Sequence, residues 1–150
     1  MCVARFTVRC TQHSALSTRV LGRMRARLVS AERILIVDDD ESIRQIVHLC
    51  LTDEGYDVVE AANGQTALTM LDDFQPSLIL LDLRMPVMDG WEFARRYGSL
   101  PGPHVPIVAF VAALNAEQEC ADLPTAAILS KPFDLDDLLQ AVRAQLPLVT

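Results

Sequence analysis

Four side chains define the chemistry this sequence can do: Asp38, Asp39, Asp82 and Lys131. Asp38 and Asp39 open an acidic triplet immediately after the apolar run Ile34–Val37, and Asp82 follows the most apolar run of the chain, Leu78–Leu81. Lys131 comes just after Ala126–Leu129 and is the only lysine in 150 residues. Carboxylates brought together repel, and such a cluster persists only if a cation neutralises it. Oxygen ligands with no His or Cys beside them suit Mg²⁺ or Mn²⁺ rather than zinc. An ammonium beside such a cluster is a place to hold a phosphoryl group, with an aspartate as nucleophile and an aspartyl phosphate as product. Asp40 and Glu41 have a plainer reading, as the cap and first-turn acid of a helix.

These residues act together only if the fold delivers them to one place. Ile34–Val37 reads as a strand buried on both faces, and Glu41–Glu54 as a helix ended by Gly55. Tyr56–Glu60 reads as strand, Asn63–Phe74 as helix and Leu78–Leu81 as the central strand. A turn-rich loop, Met85–Gly90, then leads into a short helix, Trp91–Tyr97. Pro101–Pro106 is a rigid connector and Ile107–Val111 a fourth buried strand. Leu114–Asp122 is a weak helix, Ala126–Leu129 the fifth strand and Leu135–Leu146 the closing helix. Five strands alternating with five helices require right-handed crossovers and a parallel sheet covered on both faces. The expected fold is therefore α/β: a flavodoxin-like (βα)5 three-layer sandwich with strand order 2-1-3-4-5. Strands 1 and 3 are neighbours in that order, so their terminal aspartates meet, with Lys131 arriving from the far side.

The rest of the sequence bounds the function class. With 51% apolar and 22% charged residues the composition is globular. No apolar run approaches the roughly eighteen residues of a membrane span. The arginines in the first ten residues argue against a secretory signal. Cys2, Cys10, Cys50 and Cys120 have no paired spacing and read as reduced thiols of a cytoplasmic protein. The net charge of −7 is unevenly spread: residues 1–33 carry seven arginines and one glutamate, leaving six basic and nineteen acidic side chains beyond. Such an acidic body repels nucleic acid and has no affinity for an anionic membrane. Residues 1–31 read as a basic, disordered arm, with a weakly amphipathic basic helix conceivable over Ser17–Val29, and residues 32–150 as the folded domain. No glycine loop of the nucleotide-binding types occurs. His13, His48 and His104 are isolated.

The segments ILIVDDDESIR, LILLDLRMPVMDGWEF, VPIVAF and LSKPF resemble the receiver domain of bacterial two-component response regulators, over residues 33–147. The resemblance implies that Asp38 and Asp39 form the acidic pair, with Asp39 a direct Mg²⁺ ligand. It makes Asp82 the phosphoacceptor and second ligand, and the backbone carbonyl of Arg84 the third. Lys131 corresponds to the lysine that contacts the phosphoryl oxygens, and Pro132 to the proline that follows it through a cis bond. A sensor histidine kinase or phosphotransfer protein would donate the phosphoryl group. The output would be a protein–protein contact with a downstream partner, in a signalling module rather than an enzyme. With nothing after residue 147 to carry an effector, the expected type is a stand-alone, chemotaxis-type receiver.

Two positions depart from the family pattern. Val111 stands where receivers place a Thr or Ser, and Ile128 where they often place an aromatic. The usual pair for reporting phosphorylation is therefore missing at both ends, which implies weak coupling or a degenerate receiver used for docking. A further alternative is a haloacid-dehalogenase-like phosphatase, in which ILIVDDDES would supply Asp38 as nucleophile and Asp40 as acid/base.

Overall fold

Strands made of unbroken apolar residues leave no wet face, so both sides of their sheet must be covered by helices. The computed structural model, which describes residues 31–112 and 114–146, has that arrangement. The expected basic helix over Ser17–Val29 and the rest of the arm before Ala31 lie outside the described residues. Strands β1 (Arg33–Val37), β2 (Asp57–Ala61), β3 (Leu78–Asp82), β4 (Ile107–Ala112) and β5 (Ala127–Lys131) alternate with helices. These are α1 (Glu41–Asp53), α2 (Gly64–Met70), α3 (Gly90–Ser99), α4 (Ala116–Glu119) and α5 (Leu135–Gln145). All strand pairs are parallel, in the order β2-β1-β3-β4-β5.

The core has two halves, one on each face of the sheet. Ile34, Ile36, Leu78, Leu80, Val108 and Phe110 meet Val47 and Leu51 of α1 and Leu138 and Val142 of α5. Leu35, Val37, Ile79, Leu81, Ala109 and Val111 meet Ala67, Phe93, Ala94 and Tyr97 of α2 and α3. Each Leu or Ile buried this way contributes roughly 1.5–3 kcal/mol. Burial is complete along β3, whose five residues are all buried, and falls off at the edge strand β5, where exposed and half-buried residues alternate.

Helix ends follow their caps. Asp40 accepts hydrogen bonds from the Ser42 and Ile43 N–H groups, at 2.9 and 3.3 Å, and so starts α1 as expected. Gly55, at φ +97°, reverses the chain after it. Helix α2 was expected over Asn63–Phe74 but ends at Met70. Leu71 and Asp73 tighten into three-residue turns instead, since Asp72 and Asp73 would sit at the negative end of the helix dipole. These two carboxylates therefore lie in a turn, not on a helix face. Helix α4 keeps only four residues of the expected Leu114–Asp122 and has no side-chain cap. Strand β5 runs two residues further than expected, to Lys131, which pairs with Ala112.

Candidate functional site

Parallel strands end their C-terminal edges together, and here that edge carries the acidic cluster. Asp38 follows β1 and is fully buried; Asp82 ends β3 and is nearly so, whereas Asp39 is exposed. One carboxylate oxygen from each lies within 4.8 Å of the other two. Lys131 reaches over from the end of β5, its Nζ 3.2 Å from Asp38 Oδ2 and 3.5 Å from Asp82 Oδ1. The four residues expected to act together are thus brought together. An all-carboxylate donor set of this size, with neither nitrogen nor sulfur among it, fits a hard divalent cation.

The two buried aspartates differ. Asp38 has both oxygens engaged, Oδ1 accepting from the Asp40 N–H at 2.9 Å and Oδ2 from Lys131. Asp82 Oδ1 accepts from the Arg84 N–H at 3.3 Å. Burial is the main force on the Asp82 carboxyl, and the Asp38 charge adds to it. Lys131 and the Arg84 N–H oppose them, and the balance holds its pKa at about 6, above the usual 3.8. Asp38 is therefore the occupied carboxylate. Asp40 is turned to cap α1, away from the acid/base role that the phosphatase alternative would give it.

The loop after β3 folds back tightly on the site. The Gly90 N–H donates to the Leu83 carbonyl at 2.9 Å, and a Cβ at Gly90 would lie 2.6 Å from the Asp82 backbone oxygen. Only glycine permits that approach. Val87, in the same loop, takes a left-handed φ of 71° and is exposed. Pro132 follows Lys131 through a cis bond, as the resemblance implied.

The two departures from the family pattern lie on the other half of the sheet edge. Val111 is buried on β4 within the apolar cluster shared with Met85, Met88 and Cys120. Ile128 is 40% exposed on β5. With Leu114, Ala116, Gln118 and Ser130 it lines an open groove of about 600 Å³ beside α4.

Two side-chain networks were not anticipated. Arg44 of α1 donates from a terminal nitrogen to the Asp38 carbonyl at 2.7 Å and from Nε to Glu60 Oε2 at 3.2 Å. His48 Nδ1 lies 2.7 Å from the other Glu60 oxygen. Arg84 pairs with Glu119 of α4 at 2.5 Å, and Trp91 Nε1 donates to the Glu119 carbonyl at 2.9 Å. Arg44 was visible in the sequence only as a polar residue one turn after the Asp40 cap.

Comparison with known proteins agrees with this geometry. The profile described as "Response regulator receiver domain" matches residues 34–143. The chain is 38% identical over 118 residues to sporulation initiation phosphotransferase F of Bacillus subtilis (strain 168), covering 78% of this chain and 95% of that protein. It also matches response regulator MprA of Mycolicibacterium vanbaalenii, at 37% identity, but spans only 50% of that longer protein. Among solved structures, chemotaxis response regulator CheY4 of Vibrio cholerae superposes with a TM-score of 0.72 at 33% identity, covering 78% of this chain and all of that one. The receiver domain of sensor histidine kinase PA1611 from Pseudomonas aeruginosa PAO1 superposes with a TM-score of 0.71 at 29% identity, over 77% and 98% of the two chains. That receiver was solved with a magnesium ion coordinated in its active-site cleft. With the strand order, the strand-end carboxylates and the lysine in agreement, the chain belongs to the response regulator receiver domain family and acts as a receiver of two-component phosphorelay signalling.

Proposed function

We propose that Asp82 is the phosphoacceptor of this receiver. The observation that carries the reading is the Asp82 carboxylate in contact with Lys131 on one side and the Asp38–Asp39 pair on the other. In the transfer, an Asp82 oxygen attacks the phosphorus of a phosphohistidine on a sensor kinase or phosphotransfer protein. The new O–P bond forms as the P–N bond breaks, and the electron pair returns to the imidazole, which takes up a proton. The carboxylates of Asp39 and Asp82, with Asp38 beside them and the backbone carbonyl of Arg84 as the further ligand that the family resemblance implies, would hold a Mg²⁺, which would supply charge neutralisation at the phosphoryl oxygens.

The chain's own residues do the rest. Lys131 already lies against both buried carboxylates, so its ammonium needs little movement to reach a phosphoryl oxygen. Asp38, fully buried and hydrogen-bonded, fixes Lys131 rather than competing as a nucleophile. The acidic body argues for a protein rather than a nucleic acid as output partner, and receipt of a phosphoryl group from such a kinase would place the action in the cytoplasm. No described helix is long and apolar enough to cross a membrane.

The test is phosphosite mapping by mass spectrometry after incubation with acetyl phosphate and Mg²⁺. The expected result is one alkali-labile phosphoryl group on Asp82, absent in Asp82→Asn. Labelling that survives in Asp82→Asn and disappears in Asp38→Asn would reject the assignment.

A further inference from the structure

Asp39 is the exposed member of the acidic cluster, so its carboxylate is placed no better than the backbone that carries it. Its neighbours show how the backbone is held. The Asp38 N–H donates to the Ala61 carbonyl of β2 at 3.2 Å. The Asp38 carbonyl, which belongs to the peptide linking Asp38 to Asp39, accepts from Arg44 at 2.7 Å. The chain entering the site is therefore gripped on both sides of Asp38, by main chain on one and by a guanidinium on the other.

The guanidinium is itself held. Its Nε donates to Glu60, whose second oxygen faces His48, and the Arg44 side chain is only 14% exposed. Glu60 projects from β2 at the position paired with Ile36 of β1. Three elements (the end of β1, the first turns of α1 and the edge strand β2) thus meet through one planar fork. Because Glu60 already balances the charge of Arg44, the contribution of Arg44 to the cluster is geometric. Only a guanidinium donates in two fixed directions at once; a lysine ammonium is a point charge on a flexible stem.

We infer that Arg44 is a positioning residue for the metal site: by holding the Asp38–Asp39 peptide against Glu60 it aims the Asp39 carboxylate at Asp82. This inference rests on the reading of the three aspartates as a Mg²⁺ site. Groups that orient metal ligands without touching the metal change affinity by about 10–100-fold when removed.

The experiment measures binding of Mg²⁺ alone to the full chain by calorimetry, for the unsubstituted protein and for Arg44→Gln, Arg44→Lys, Glu60→Gln and Asp39→Asn. Melting temperature is recorded alongside. Arg44→Gln and Arg44→Lys are both expected to weaken Mg²⁺ about tenfold. Glu60→Gln should weaken it less, about two- to threefold, since the guanidinium still reaches the carbonyl. Phosphorylation by acetyl phosphate in the Arg44 variants should recover its full rate at saturating Mg²⁺, a split that a purely structural role would not produce. An unchanged Mg²⁺ affinity in Arg44→Gln overturns the inference while leaving the metal site standing. Full rescue by Arg44→Lys also overturns it, showing that charge rather than geometry matters. Mg²⁺ binding that is absent, or indifferent to Asp39→Asn, overturns the metal reading and this inference with it.

Discussion

The two halves of the sheet edge are built to different standards. On the β1–β3 half the buried carboxylates and the backbone around them are tied down. Asp38 is buried with both oxygens bonded, its carbonyl is held by Arg44, and Gly90 lets the β3–α3 loop close onto Asp82. On the β4–β5 half, α4 has four residues and no side-chain cap, β5 alternates in exposure, and Leu114 and Ile128 stand in solvent. The first half holds the proposed phosphoacceptor, and phosphoryl transfer needs groups placed to fractions of an ångström. The second is where receivers report the gain, and a report requires groups whose interactions differ between two states. Val111 and Ile128 stand where the family resemblance puts the reporting pair, and neither side chain carries a hydrogen-bond donor. On the proposed assignment, the residues for phosphoryl transfer are all present while the usual read-out pair is not.

The sharpest way to break this contrast is at Gly90. A Cβ there meets the Asp82 carbonyl oxygen at 2.6 Å and Leu83 Cα at 2.7 Å, both backbone atoms. Gly90→Ala is expected to cost about 3 kcal/mol or more in urea unfolding and to lower the phosphorylation rate by displacing Asp82. Gly98, in the same helix, has nothing within 4 Å of an added Cβ. Gly98→Ala should therefore stabilise by about 0.5–1 kcal/mol. Equal effects of the two substitutions would remove the claim that the loop is packed around the site.

The tied-down half is also strained electrostatically, and Asp82 measures that strain. Its folded-state pKa of about 6 exceeds the ordinary 3.8, chiefly because the carboxyl is buried and secondly because Asp38 is near. The folded protein thus binds a proton more tightly than the unfolded chain. The resulting stability is fully present below about pH 4 and is lost as pH rises through 6. A shift of that size corresponds to roughly 3 kcal/mol. In the metal-free protein, Asp82→Asn should abolish phosphorylation yet raise stability at pH 7 by about 2–3 kcal/mol, and flatten the fall between pH 4 and 6. Chemical denaturation across that range checks it. A destabilised Asp82→Asn would mean that the carboxylate is compensated in the folded state after all.

How much of this was legible beforehand follows the range of the interactions. The strands were legible because burial on both faces forces unbroken apolar runs, and strand order then placed Asp38, Asp39, Asp82 and Lys131 at one edge. The Asp40 cap is a local bond, to residues two and three positions on, and was equally legible. Arg44–Glu60 and Arg84–Glu119 were not, being separated by 16 and 35 residues. A long flexible side chain has many possible carboxylate partners, and packing alone selects one. Helix α2 ended early because turn formation at Leu71–Asp73 outweighed an apolar period that could have continued.

On the reporting half, Val111→Thr tests the missing hydroxyl. The site is apolar and Val111 is buried, so a threonine hydroxyl there should cost about 1–2 kcal/mol in the unphosphorylated protein. A phosphoryl group on Asp82 supplies a charged acceptor, and a hydrogen bond to such a group is worth about 1.5–3 kcal/mol. Beryllofluoride should accordingly cause larger NMR shifts across α4 and β5 in Val111→Thr than in the unsubstituted protein. A full two-state shift in the unsubstituted protein would show that another connection carries the signal, with Arg84–Glu119 the first to examine, since it joins the phosphoacceptor loop to α4.

The smallest effect concerns Val87, and it asks whether backbone strain in the chemical half is kept for function. A β-branched residue at φ 71° is held in a conformation that costs about 1–2 kcal/mol, and with 84% exposure its side chain recovers little by packing. Glycine removes that cost but adds freedom to the unfolded chain, worth about 0.5–1 kcal/mol in the other direction. The net expectation for Val87→Gly is a gain of about 0.5 kcal/mol, with Val87→Asn similar because asparagine tolerates the left-handed region. Neither change touches Asp82, so if the loop is fixed by Gly90 and the Leu83 carbonyl alone, phosphorylation rates should not move. A stabilised Val87→Gly that phosphorylates several-fold more slowly would give a different answer. It would place Val87 among the groups that hold the loop over the acceptor, and extend the tightly built half of the sheet edge out to the surface.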